Sequence, residues 1–148
     1  MKLLITGIPG TGKTTIGNYL ALAKGYKHLD NEAALKRGDL KTIQDFLAHP
    51  AEDKVVTWGF VPEVDDAGVK QFLDMGYQMI WFDGNREAAR REFLKRADTP
   101  VEDLDNQMIR IEKHDLEKFK PIRINTFSAD GVFLDKEKVV ELIFKSLK

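Results

Sequence analysis

Apolar positions recur along the chain with two different spacings. Lys2 to Thr6 is a short continuous apolar run ending at glycine, the pattern of a buried strand. Further short β-rich runs follow at Tyr26–Leu29, Lys54–Gly59, Tyr77–Asp83 and Ile122–Phe127. Between them the period changes to that of a helix. Ile16, Leu20 and Ala23 fall on one face of residues 13–23, with Gly25 as terminator. Residues 31–48 read as helical with a break near Gly38, and 64–75 as a helix ending at Gly76. Asn85 caps a helix to about Arg96. Thr99-Pro100-Val101-Glu102 is a capping box with proline at the first helical position. Val101, Leu104, Met108, Ile111, Leu116 and Phe119 continue that helical face to Pro121. Asp135 caps a last helix carrying Val139, Val140, Ile143, Phe144 and Leu147.

Strand and helix therefore alternate throughout. The expectation is an α/β fold with a mostly parallel sheet and helices on both faces. Ligands of such sheets bind beyond the carboxyl ends of the strands, here Gly7, Asp30, Gly59, Asp83 and Phe127.

Composition narrows the class. The 148 residues, 43% hydrophobic, suit one domain spanning 1–148. Without cysteine, disulfides and thiolate chemistry are excluded. No stretch has the length of a membrane span or a signal peptide core, so a cytoplasmic location is expected. Lys+Arg 23 against Asp+Glu 24 leave a net charge of -1, which argues against life on a long polyanion. The charge is uneven, however. Over 85–96, Arg86, Arg90, Arg91, Lys95 and Arg96 oppose Glu87 and Glu92, a net +3 that leaves -4 for the remainder.

Gly7-Ile8-Pro9-Gly10-Thr11-Gly12-Lys13-Thr14 matches G-x-x-x-x-G-K-[ST], and Thr15 follows. It sits between a predicted strand and a predicted helix, which is the context a phosphate-binding loop requires. Glycines let successive backbone N–H groups turn inward onto phosphate, and the helix N-terminus adds partial positive charge. Lys13 would reach the β- and γ-phosphates and Thr14 Oγ1 would ligate Mg²⁺. The plain alternative is a glycine-rich turn before an ordinary helix. A GTPase is disfavoured because the chain has no Asn-Lys-x-Asp motif.

With this loop the sequence resembles the small P-loop kinases: shikimate, gluconate and adenylate kinases, and kinase-like ATPases with a zeta-toxin-like core. The resemblance implies a three-layer fold with a five-stranded parallel sheet in the order 2-3-1-4-5. It also implies ATP with Mg²⁺ as donor and a short lid near 95–99. Asp30, after the second strand, resembles the aspartate that orients or deprotonates an acceptor hydroxyl or supports Mg²⁺. Its alternative role is to cap the next helix. The segment 31–50 would face the acceptor, with Arg37 and Lys41 as candidate phosphate contacts. The third strand departs from the family, since Thr57 or Trp58 stands where many relatives carry a Mg²⁺-supporting aspartate. Gly59 would let substrate approach the backbone, and Trp58 and Phe60 would either stack on an acceptor or pack the core. Glu63 is a further acceptor-site candidate. Among the basic residues of 85–96, Arg91 and Arg96 are favoured to close on the transferring phosphoryl group. Thr126, in the loop from Asn125 to Gly131, is the candidate contact for the nucleotide base. His28, His49, His114 and Trp81 read as structural or surface residues.

The leading expectation is transfer of the γ-phosphoryl group of Mg-ATP to a small acceptor, most simply a hydroxyl. Two alternatives are a polynucleotide or modified-nucleotide kinase acting at a strand end, and a regulatory nucleotide-binding ATPase.

Overall fold

The computed structural model describes residues 1–60, 62–95 and 100–147. Five strands form one parallel sheet: β1 (Lys2–Gly7), β2 (Lys27–Asp30), β3 (Lys54–Thr57), β4 (Gln78–Asp83) and β5 (Ile122–Asn125). Their order is β2-β3-β1-β4-β5. Strand β1 is central, with Ile5 opposite Thr57 of β3 and Ile80 of β4. From β1 the chain goes to the edge strand β2, returns to β3 beside β1, and then crosses to the other side for β4 and β5. The order thus switches direction at β1, where open sheets of this kind place a ligand crevice.

Both faces of the sheet are apolar, and each strand serves both by alternation. Leu3, Ile5, Val55, Ile80 and Phe82 point to one face. There they meet α1 (Lys13–Lys24) and α7 (Lys136–Ser146) through Ile16, Leu20, Val139, Val140 and Ile143. Leu4, Val56, Met79 and Trp81 point to the opposite face, with Trp58 and Phe60 just past β3. That face is covered by α3 (Leu40–Ala48), α4 (Asp66–Asp74), α5 (Arg86–Leu94) and α6 (Val101–Lys113), through residues such as Phe46, Phe72, Ala89 and Ile111. The short helix α2 (Asn31–Lys36) leads directly out of β2.

The expected elements differ from the observed ones mainly at their ends. The break expected near Gly38 separates α2 from α3; Gly38 has φ 66, and the carboxylate of Asp39 caps Thr42 N at 3.1 Å. The helical face expected to run to Phe119 stops at Lys113, because His114 is extended, and resumes as a 3₁₀ turn at Glu117–Phe119. The Thr99 half of the capping box lies outside the described residues. Strand β3 ends at Thr57, so Trp58 and Gly59 belong to the segment beyond it. Among the described residues, no helix is long and apolar enough to cross a membrane.

Two polar side chains tie the strands of the sheet to the helices around them. Lys54 is buried at the start of β3, and its ammonium donates to the carbonyls of Phe46 and Leu47 at 2.9 and 3.2 Å. It thereby satisfies two carbonyls that the end of α3 leaves open. Desolvation holds its pKa below the usual lysine value. His28, half-buried on β2, sets Nδ1 2.9 Å from Asn18 Oδ1 and Nε2 2.8 Å from Thr57 Oγ1. One imidazole so joins α1, β2 and β3, and burial lowers its pKa despite the nearby Asp30 charge.

Candidate functional site

The loop between β1 and α1 is forced into shape by its glycines. Gly7, Gly10 and Gly12 have φ of 137, 78 and 86. A Cβ on Gly7 would stand 2.3 Å from the Phe82 carbonyl oxygen, and one on Gly10 would stand 2.1 Å from that of Ala89. The loop is therefore pressed against β4 and α5 with no room for a side chain. Thr11 is fully buried and braces the turn by donating to the Ile8 carbonyl at 2.7 Å. Lys13 folds back over the loop, with Nζ 3.0 Å from the Ile8 carbonyl oxygen and 3.4 Å from that of Gly7. Gly12 forms the N-cap of α1 without a capping side chain, so the first amides of that helix face the cleft.

The loop floors a cleft of about 530 Å³. Pro9, Gly10, Gly12, Lys13, Thr14 and Thr15 contribute from the loop, Glu32 from α2, and Gly59 from beyond β3. Across the opening stand Glu92, Phe93 and Lys95 from α5 and its end, Gln107 from α6, and Phe133 from the segment before α7.

Asp30 caps the next helix and also lies beside the glycine-rich loop. Its Oδ1 accepts from Ala33 N at 3.0 Å and caps α2, while Thr14 Oγ1 lies 3.5 Å from its Oδ2. The hydroxyl and carboxylate form a pair of hard oxygens at the mouth of the loop, the donor type Mg²⁺ prefers. Among the described residues, no group of three or more His, Asp or Glu side chains is placed to hold a metal. The pair nevertheless fits a Mg²⁺ that keeps most of its waters and takes the rest of its ligands from phosphate.

Glu32 was not singled out from the sequence. A methyl on Gly59 would stand 3.0 Å from its Oε2 and 3.6 Å from Lys13 Cε, so both side chains reach the backbone at Gly59. The spacing of two residues from Asp30 was the available signal. Leaving β2, the backbone turns into α2, where Glu32 Oε1 stands 3.5 Å from Lys36 Nζ. Gln107 and Phe133 gave no local signal, because each reaches the cleft from a distant element.

Trp58 and Glu63 do not join the cleft lining. Trp58 follows the alternation of Val56 and is 6% exposed; its ring stands 6.1 Å from those of Phe60 and Phe72 and fills the space left by Gly68. Glu63 is exposed, has φ 70, and lies at a surface corner 4.0 Å from His114 Nδ1. Nε2 of that histidine lies 3.1 Å from Asp66 Oδ2, out of hydrogen-bonding alignment. Arg37 stands 3.9 Å from Asp39, and Lys41 stands 3.1 Å from Asp45; both pairs are exposed and outside the cleft.

The basic helix α5 divides its cations. Arg86 and Arg90 turn toward α6, pairing with Glu112 at 3.0 Å and Asp105 at 3.5 Å. Arg91 lies on another side, its Nη2 3.3 Å from where a Gly131 side chain would begin. Lys95 reaches the cleft while paired to Glu92 at 2.9 Å. Arg96 and most of the expected 95–99 lid lie outside the described residues.

Thr126 is 1% exposed and its hydroxyl has no hydrogen-bond partner. It lines a smaller cavity of about 190 Å³ that shares Gly12, Thr15 and Phe133 with the main cleft. Phe133 stacks on Phe127, with centroids 4.6 Å apart and planes at 21°. An orphaned buried hydroxyl beside a stacked aromatic pair is suited to a planar polar group.

Strand order, central glycine-rich loop and helix placement define a class, that of the small P-loop kinase fold. Solved structures agree. A gluconokinase from Sinorhizobium meliloti 1021 superimposes with TM-score 0.62 at 16% identity, covering 99% of this chain and 90% of that one. A shikimate kinase from Bacteroides thetaiotaomicron gives TM-score 0.59 at 16% identity, covering 99% and 98%. In sequence, the shikimate kinase of Mycobacterium leprae (strain TN) is 38% identical over 53 residues, 36% of this chain. The match spans 27% of that enzyme's length. No family model matches the chain.

Proposed function

We propose that the protein is an ATP-dependent phosphotransferase that moves the γ-phosphoryl group of Mg-ATP to a hydroxyl of a small acceptor. The observation that carries this reading is the arrangement around Lys13. Its Nζ folds back over the glycine-rich loop, Thr14 and Asp30 stand 3.5 Å apart beside that loop, and Glu32 lies beside Gly59 in the same cleft.

Bound Mg-ATP supplies the transferable phosphoryl group. Backbone N–H groups of 10–15 would hold its phosphates, and Thr14 with Asp30 would hold Mg²⁺. Lys13 exchanges its carbonyl contacts for phosphate and offsets the charge that develops during transfer. Lys95 adds a second cation from the opposite wall. Thr126 and Phe133 receive the base. Glu32, from the acceptor-facing segment 31–50, takes the hydroxyl proton; this assigns base work to Glu32 and metal support to Asp30. The relatives' names, shikimate kinase and gluconokinase, agree with a hydroxyl acceptor.

The test is nucleotide binding and ADP release with Mg-ATP across a panel of hydroxyl compounds. Lys13→Ala should abolish transfer with circular dichroism unchanged. Undiminished transfer in that variant would refute the assignment. Nucleotide binding with no transfer to any acceptor would point to a regulatory ATPase instead.

A further inference from the structure

Resting on the reading of Thr14 and Asp30 as the Mg²⁺ pair, we infer that His28 is a positioning residue for that pair: it ties α1 to β2 and thereby fixes the distance between the two oxygens. Thr14 lies in the first turn of α1 and Asp30 at the end of β2. Their separation of 3.5 Å is therefore set by how that helix end lies against that strand end. Mg²⁺ demands near-ideal octahedral geometry. A small drift of one element against the other would cost it a protein ligand.

His28 bridges the same two elements just behind the pair. Residues i and i+2 of a strand share a face, so His28 points the way Asp30 does. Residues i and i+4 of a helix share a face, so Asn18 lies one turn behind Thr14. The 2.9 Å contact of His28 Nδ1 with Asn18 Oδ1 is thus a second rung beside the Thr14–Asp30 rung. Nε2 lies 2.8 Å from Oγ1 of Thr57, a buried residue that pairs with Asp30 in the sheet register. The neutral ring satisfies both partners at once, with Nδ1–H donated to the Asn18 carbonyl oxygen and Nε2 accepting the Thr57 hydroxyl proton. Held at both nitrogens, the ring cannot turn without losing a bond.

Apolar packing does not supply the same control. Ile16 and Leu20 bury α1 against the sheet, but that attraction is non-directional. Hydrogen bonds are directional and fix where the helix end sits. The helix also makes room for the ring. Gly17 is buried inside α1, where glycine is an unfavourable residue. A Cβ there would stand 2.5 Å from His28 Nε2 and 2.7 Å from Thr57 Cγ2. A side chain at that position would push α1 off the imidazole, and Thr14 away from Asp30 with it.

The experiment measures ATP binding to the full chain by calorimetry, once in EDTA and once with saturating Mg²⁺. The ratio of the two dissociation constants reports how well the metal is held, and no turnover is needed. Asn18→Ala removes the helix end of the tie at an exposed position where alanine favours the helix. It should reduce the ratio by roughly fivefold or more, with the EDTA dissociation constant within twofold of the parent. His28→Leu should do the same. The double variant should fall no more than about twofold below the worse single one, as two ends of one bond require. His28→Asn keeps an N–H donor near the place of Nδ1 and should restore the ratio to within twofold of the parent. A smaller change in Asn18→Ala overturns the inference, and that variant decides alone if His28→Leu does not fold. Equal weakening with and without Mg²⁺, which a merely structural role gives, also overturns it, as do additive effects or no restoration in His28→Asn. Thr14→Val tests the underlying reading separately. A full ratio in that variant would show that the metal does not sit at the Thr14–Asp30 pair, and the inference falls with that reading.

Discussion

Gly10 shows how narrowly a single position is determined. Its φ of 78 lies in the left-handed region, and a Cβ there would stand 2.1 Å from the backbone oxygen of Ala89. A side chain meets two penalties at once, conformational strain and a clash with the backbone of α5. Gly10→Ala should therefore lower unfolding free energy by about 2–4 kcal/mol. The check is a fall in urea midpoint with unchanged slope, accompanied by lost nucleotide binding. His28 makes a second residue-scale case. Its folded pKa is lowered from the ordinary 6.5 by burial, so the neutral ring belongs to the folded state. Its contribution is complete above the unfolded value and is lost as pH falls through about 6.5 toward the depressed folded value. The urea midpoint should fall between pH 7.5 and pH 5, and His28→Gln should flatten that fall. An equal fall in the variant would assign the acid sensitivity to other groups.

At the scale of elements, the α5–α6 pair separates two roles that composition had merged. From the sequence, Arg91 and Arg96 were favoured among the basic residues of 85–96 for the phosphoryl group, but sequence gives charge and not direction. In the fold, Arg86 and Arg90, four apart and therefore on one face, both turn to acids of α6. These pairs are exposed, so each contributes little to stability. Arg86→Gln with Arg90→Gln should shift stability by no more than about 1.5 kcal/mol and leave transfer within about threefold of the parent. A hundredfold loss of transfer with intact folding would place one of them in the reaction. The same limit on legibility applies to Trp58. Alternation from Val56 already implied an inward ring, but only the contact with Gly68 of α4 decides that it packs the core. Gln107 and Phe133 lie on the far sides of two connections, where no local pattern speaks of the cleft. By contrast, the glycine-rich loop was legible outright, since its chemistry is written in consecutive residues. The capping role of Asp30 was legible too, because an aspartate between a strand and a helix accepts from the first free amides of that helix.

For the whole molecule, the alternation of strand and helix along the chain implied the parallel sheet and its two covered faces, while the strand order came with resemblance to known kinases. That order sets β1 between β3 and β4, so the phosphate loop grows from the center of the sheet and leans on β4 and α5. Ligand binding at such a place should be felt by the entire fold. A ligand that binds only the folded chain adds RT ln(1 + [L]/Kd), about 2.7 kcal/mol at a hundredfold excess over Kd. For a chain of this size each kcal/mol moves Tm by roughly 2–4 °C. Mg-ATP at that excess should thus raise Tm by about 5–10 °C in a thermal scan. Lys13→Ala at the same ATP concentration should lose most of the shift. Thr14→Val should lose the part of the shift that depends on Mg²⁺, because it removes the hydroxyl facing Asp30 and leaves the loop amides in place. A full Mg²⁺-dependent shift in Thr14→Val would move the metal away from the Thr14–Asp30 pair. An unchanged shift in Lys13→Ala would place the nucleotide elsewhere on the molecule.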